Sequence, residues 1–161
     1  MSSDQAFGPV PRSALVDTSG LELLRGIMDG RLPAPPIARL IGVELVEVDA
    51  GRVVFMGRPG LEHYNPIGSV HGGYAATLLD SCMACAVHSG LDAGLGYTTL
   101  EFKVNFVRAM TVDTGLVRAE GKVIHGGRQA AVAEGRLTDE TGRLLAHATT
   151  TCLVFALRTP G

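Results

Sequence analysis

The chain has 161 residues, 46% of them hydrophobic and 19% charged, with a formal net charge of −2. That length suits one domain with a sizeable core, and the slightly acidic balance excludes a basic nucleic-acid-binding surface. A mean hydropathy of +0.24 is high for a soluble monomer and implies surface buried against another chain.

Residues 1 to about 19 are rich in Ser, Pro and Gly and are expected to be mobile. Leu21, Leu23, Leu24, Ile27 and Met28 mark a short amphipathic helix between Gly20 and Gly30. Pro33, Pro35 and Pro36 end it, and 37–41 supply one more turn. Residues 1–36 thus read as an N-terminal extension of short helix and Pro-rich linker, and 37–158 as one domain. Within that domain 43–48 and 53–57 flank Asp49-Ala50-Gly51, a hairpin signal. A loop around His63-Tyr64-Asn65-Pro66 leads into a long helix over roughly 70–89. Leu100, Phe102, Val104 and Phe106 alternate with Glu101, Lys103 and Asn105, the pattern of a half-buried strand. Three further strands fall at 115–125, 128–138 and 144–155. Gly121, Ala131, Ala133 and Gly135 inside them leave room for another element to approach closely. Hairpin, helix, then a four-strand meander predicts an α+β fold, one curved antiparallel sheet wrapped around one long buried central helix.

Three cysteines without the spacing of a secreted scaffold, and an N-terminus lacking an apolar signal core, point to the reducing cytoplasm. The longest uncharged stretch is broken by Asn65, Pro66 and Gly68, so no membrane span is expected. Cys82 and Cys85 form C-x-x-C in mid-helix rather than at a helix N-terminus, and read as core packing.

Asp80 is the only Asp, Glu, Lys or Arg from His63 to Leu91. A helix apolar on nearly every face belongs in the middle of a fold, so this carboxylate must be paired, hydrogen-bonded or used. Thr77, Ser81 or strand amides could satisfy it without any chemistry. The same helix opens on His71-Gly72-Gly73. Amides of a first helical turn lack intrahelical partners and can donate to a developing oxyanion, and glycine admits a substrate close to the backbone. Asp80 lies roughly 12 Å along the axis from Gly72 at about 1.5 Å per residue, too far for both to meet one carbonyl. If both act on one carbonyl, the simplest source of the second group is a symmetry mate, which predicts a dimer.

The run Asn65-Pro66-Ile67-Gly68-Ser69-Val70-His71-Gly72-Gly73, followed by Ala76-Thr77-Leu78-Leu79-Asp80, resembles the signature of hotdog-fold acyl-CoA thioesterases, nearest to the phenylacetate-pathway (PaaI-like) branch. The resemblance covers roughly residues 37–156. It implies that the Gly72 amide polarises the thioester carbonyl with Asn65 assisting, and that Asp80 of the opposing subunit acts as general base or nucleophile. His71 would orient the loop and help protonate the departing thiolate. Some relatives use a Ser or Thr on the following strand to position water; Thr99 is the match here and Thr98 the fallback. Gly73 and His63 would contact substrate, while Arg128, Arg108 and Lys103 could meet coenzyme A phosphates. The expected partners are acyl-CoA and further copies of the chain, as a homodimer or a homotetramer of two dimers, with no cofactor or metal. A related branch with Glu at the acidic position and Thr one turn later is set apart by Asp80 and Ala84. Two rival readings remain: a hotdog hydratase-dehydratase of acyl thioesters, and a non-catalytic acyl-CoA binding module.

Overall fold

The structure, a computed structural model, describes residues 5–157; residues 1–4 of the extension and residue 158 of the expected domain lie outside the described residues. The elements in chain order are α1 (Arg12–Asp17), α2 (Gly20–Met28), α3 (Pro36–Ile41), β1 (Val43–Asp49), β2 (Arg52–Gly57), α4 (Gly72–Ser89), β3 (Leu95–Phe106), β4 (Val117–Gly126), β5 (Ala130–Asp139) and β6 (Leu144–Ala156). All six strands join one antiparallel sheet in the order β1-β2-β4-β5-β6-β3. The sheet curls around α4, and the chain has the hotdog fold that its resemblance implied. Among the described residues no helix is long and apolar enough to cross a membrane.

The sheet closes on the helix because its inner face is made of small residues. Gly121 comes so near that a Cβ there would run into the Cys82 carbonyl and stand 2.6 Å from the Met83 nitrogen. A Cβ at Gly135 would stand 2.9 Å from Met83 Cγ, and Ala131 and Ala133 are buried beside them. Leu78, Leu79, Cys82, Met83 and Ala86 fill the space these residues leave, all at zero exposure. The β1–β2 hairpin turns where expected: Gly51 has φ +76°, a left-handed conformation suited to glycine. The Gly51 N–H donates to Ser89 Oγ at 2.9 Å, tying the hairpin to the end of α4.

Four expectations are corrected. Residues 5–19 are built rather than loose: α1 occupies Arg12–Asp17, and the Gly8 N–H donates to the Ala34 carbonyl at 3.0 Å. A Pro-rich composition disfavours long helices but leaves backbone groups free to bridge to a neighbouring segment. The long helix starts at Gly72 instead of 70, because the extended His71 is its N-cap and the Val70 N–H is drawn to the Met110 carbonyl. The last four strands are no simple meander. β4 takes the free edge of β2, so β3 stands at the far edge beside β6. Finally, β3 is less covered than a half-buried strand: Leu100, Phe102 and Phe106 are 60%, 36% and 56% exposed.

Candidate active site

α4 is buried except for one stripe, which carries Gly73, Ala76, Thr77, Asp80, Ser81, Cys85 and His88 at helical spacing. Asp80 therefore sits half-buried rather than fully desolvated. Its Oδ1 accepts a hydrogen bond from Thr99 Oγ1 at 3.0 Å, while Thr77 Oγ1 donates back to the Gly73 carbonyl. Thr99, the preferred strand residue, thus meets the carboxylate. Thr98 is exposed on the rim of the same cleft, of about 510 Å³, with Ser81 and Tyr97.

A β-bulge makes the Thr99 contact possible. Thr99 lies opposite Cys152, but Glu101 lies opposite Thr151, so Leu100 is the extra residue. Cross-strand partners share a face of the sheet, and Cys152, Thr150, Ala148 and Ala146 are all buried on the inner face. Phe102, Val104 and Phe106 therefore point inward, and so does Thr99, although strict alternation would turn Thr99 outward. Tyr97, opposite the buried Val154, joins it.

The N-terminus of α4 is a second, separate place. His71 Nδ1 accepts from the Gly73 N–H at 2.8 Å as the N-cap. A Cβ at Gly73 would sit 2.8 Å from that nitrogen, which explains the glycine. With Nδ1 accepting, the neutral ring carries its proton on Nε2, and the side chain is exposed. The Gly72 N–H has no acceptor among the described residues, and the Phe106 ring lies 3.0 Å from where a Cβ at Gly72 would be. His71, Gly72, Gly73, Phe106 and Arg108 line a cleft of about 570 Å³ here. Arg108 Nη1 also donates to the Leu144 carbonyl at 2.6 Å.

Two other expected residues hold the approach to this cleft. Asn65 Oδ1 accepts from the Ile67 and Ser69 amides and its Nδ2 donates to Ser69 Oγ at 3.1 Å, so the side chain organises its own loop. His63 Nδ1 accepts from the Gly60 N–H at 2.9 Å, its carbonyl accepts from the His71 N–H at 2.7 Å, and its ring packs 4.5 Å from Tyr74. Neither side chain lines the two clefts. Arg128 lies elsewhere, in a cleft of about 390 Å³ beside Gly90 and Leu91 at the other end of α4. Lys103 is exposed on β3 and lines neither cleft.

Burial pushes the Cys85 thiol up to about 12 and the Tyr97 hydroxyl well above its ordinary range. Burial also raises Cys82, so neither sulfur of the C-x-x-C pair is a thiolate near neutral pH. Tyr97 and Phe106 were not among the site residues expected from sequence. The place of Phe106 on β3 was legible and that of Tyr97 was not, and which end of α4 each meets depends on strand pairing.

His71, Gly72, Asp80, Thr99 and Phe106 at these two clefts fall within one family-matched segment. A model of the thioesterase superfamily matches residues 67–146. The chain is 30% identical over 105 residues to the 1,4-dihydroxy-2-naphthoyl-CoA hydrolase of Listeria monocytogenes, covering 65% of this chain and 84% of the relative. The chain belongs to the thioesterase superfamily. Among solved structures, this thioesterase superposes on a phenylacetic acid degradation-related protein of Ralstonia eutropha with a TM-score of 0.73 and 30% identity, covering 81% and 98% of the two chains. A hypothetical thioesterase protein of Streptococcus pneumoniae, solved with coenzyme A, matches at TM-score 0.65 and 28% identity over 73% of this chain and 89% of its own. The thioesterase is accordingly a hydrolase of thioesters.

Proposed function

We propose that this thioesterase hydrolyses acyl-CoA at a site shared by two subunits, where Asp80 of one and the Gly72 amide of the other act on a single carbonyl. The observation that carries the reading is the separation of these groups: both belong to α4, yet their clefts have no lining residue in common. β3 supports a partner that would join them. It is an edge strand with apolar side chains left uncovered, the kind of edge that pairs with another chain. It also runs from one half-site to the other, Thr99 beside Asp80 and Phe106 beside Gly72. Antiparallel pairing of β3 with its own copy sets the Thr99 end of one strand against the Phe106 end of the other.

In that arrangement the Gly72 N–H, at a helix N-terminus, donates to the carbonyl oxygen as negative charge grows on it. Asp80 accepts a proton from water, and the water oxygen bonds to the carbonyl carbon. Collapse breaks the C–S bond, the proton that Asp80 took from water passes to the departing sulfur, and the His71 Nε2–H stabilises that sulfur by a hydrogen bond without giving up its own proton. Thr99 holds Oδ1 so that the other carboxylate oxygen meets the water. Arg108 supplies a cation at the rim for a phosphate of coenzyme A. The naphthoyl-CoA hydrolase and the relative solved with coenzyme A support a coenzyme A thioester as substrate. The three free cysteines suit a reducing cytoplasm.

The test is a thiol-release assay over short, long and aromatic acyl-CoAs. Asp80→Ala should lose at least ~100-fold in rate, the scale of an acid–base group; a rate equal to wild type sinks the mechanism. Asp80→Ala and Gly72→Val subunits, each inactive alone, should regain activity when mixed, because one mixed-dimer site keeps both groups. Inactivity after confirmed subunit exchange would refute the shared site.

A further inference from the structure

Residues 5–10, α2 and α3 close a cavity of about 300 Å³ against α4 and β3. Phe7, Leu24, Ile27 and Met28 are among its walls, with Cys85, His88 and Tyr97 on the α4 and β3 side. The cover is held in place. The Ala34 N–H donates to the Ala6 carbonyl at 2.9 Å, Gln5 Nε2 donates to the Leu32 carbonyl at 3.4 Å, and the Arg39 guanidinium lies 5.7 Å from the centre of the Phe7 ring. α2 is seated on the end of α4 at Gly20, whose N–H donates to the Leu91 carbonyl at 3.0 Å; a Cβ at this glycine would collide with the His88 carbonyl.

The cavity adjoins the Asp80 cleft, sharing with it the walls Pro35, Ala38, Val43, Phe55, Cys85 and Tyr97. Along α4 and β3 the contacts continue from the carboxylate in one direction: Asp80 with Thr99, Cys85 with Tyr97, then the His88 ring 5.0 Å from Tyr97. The polar groups on this path are muted. Burial raises Tyr97 and Cys85, so both stay protonated and neutral at pH 7, and it lowers His88 from its ordinary value, which keeps that ring neutral as well.

We infer that this cavity is the acyl pocket, and that the N-terminal extension, by closing it, restricts the substrate to an uncharged apolar acyl group of about ten non-hydrogen atoms, taking about 30 Å³ for a water-sized group. The inference rests on the thioesterase reading and adds the substrate class. Apart from Gln5, the exposed Glu44, Cys85, His88 and Tyr97 the walls are apolar, and an anionic acyl terminus would meet no cation there. A much longer chain would have to displace Phe7 or α2.

The experiment compares kcat/KM for acetyl-, hexanoyl-, decanoyl- and hexadecanoyl-CoA in wild type, Ile27→Trp and Phe7→Ala, each checked for folding by circular dichroism. Wild type should gain up to about fourfold per buried methylene until the pocket is full, then fall at hexadecanoyl. Ile27→Trp fills the cavity and should lose at least ~10-fold on decanoyl-CoA while acetyl-CoA turnover is retained. Phe7→Ala opens the cover and should raise hexadecanoyl-CoA relative to decanoyl-CoA; if Ile27→Trp does not fold, this variant decides alone. Folded variants that keep the wild-type ratios, or that lose all four substrates alike, overturn the pocket and leave the thioesterase reading standing. Wild type that cleaves none of the four overturns that reading, and the inference with it.

Discussion

A single hydroxyl–carboxylate contact orders the candidate base. Asp80 sits on a stripe of α4 open to a cleft, where a free carboxylate would sample several rotamers; the 3.0 Å bond from Thr99 to Oδ1 favours one of them and leaves Oδ2 without a bond from Thr99. A hydrogen bond to a charged group contributes about 1.5–3 kcal/mol, and 1.4 kcal/mol is a tenfold change in rate. Thr99→Val is therefore expected to lower kcat about tenfold or more with KM little changed, and Thr99→Ser, which keeps the hydroxyl, to stay near wild type. If Thr99→Val and Thr99→Ser lose activity equally, the hydroxyl is not what positions Asp80. At the other end of the helix, His71 and Gly73 serve each other: the ring caps the Gly73 amide, and only glycine leaves room for the ring.

At the scale of elements, the central fact is the contact between α4 and the small residues of β4 and β5. Gly121 and Gly135 face each other across the two strands, but a Cβ at each would meet different obstacles. At 121 the obstacle is α4 backbone around Cys82 and Met83; at 135 it is the ends of the Met83 and Leu79 side chains. Backbone cannot step aside without moving the helix, whereas methionine adopts new rotamers readily. Overpacking costs about 1–3 kcal/mol, so Gly121→Ala should reach at least about 3 kcal/mol and Gly135→Ala about 1 kcal/mol, read from urea unfolding midpoints. Equal losses would mean that α4 yields where it is expected to be rigid. β3 is an element of a different kind, because its bulge at Leu100 puts Thr99 and Phe102 on one face despite their odd spacing.

For the whole molecule, the proposed shared site would leave an isolated subunit with its chemistry divided. The proposed partner covers β3, whose Phe102 and Phe106 are 36% and 56% exposed. Phe102→Lys places a charge on that edge, a device by which strands resist pairing. It should shift the protein to monomer in sedimentation experiments, keep native circular dichroism because Phe102 is not a core residue, and abolish thiol release. A folded monomer with full activity would show that one subunit contains a complete site.

Spacing and residue type alone determined the long central helix with its glycine entry, the hairpin turn at Gly51, the six strand segments, and the placing of Asp80 and the Gly72 amide at separate points of one helix. These are local properties: turn chemistry, helical caps and side-chain period act within a few residues. The thioesterase resemblance was legible on the same run, 65–80. Tertiary structure decided the rest. Which strand neighbours β3, that Thr99 turns inward to Asp80, that Phe106 stands over Gly72, and that residues 5–10 cover a cavity all depend on pairings between distant segments. Alternation reveals which face of a strand is buried, yet it is silent about the neighbour beside it, and one bulged residue is enough to reverse the face on which a functional side chain stands.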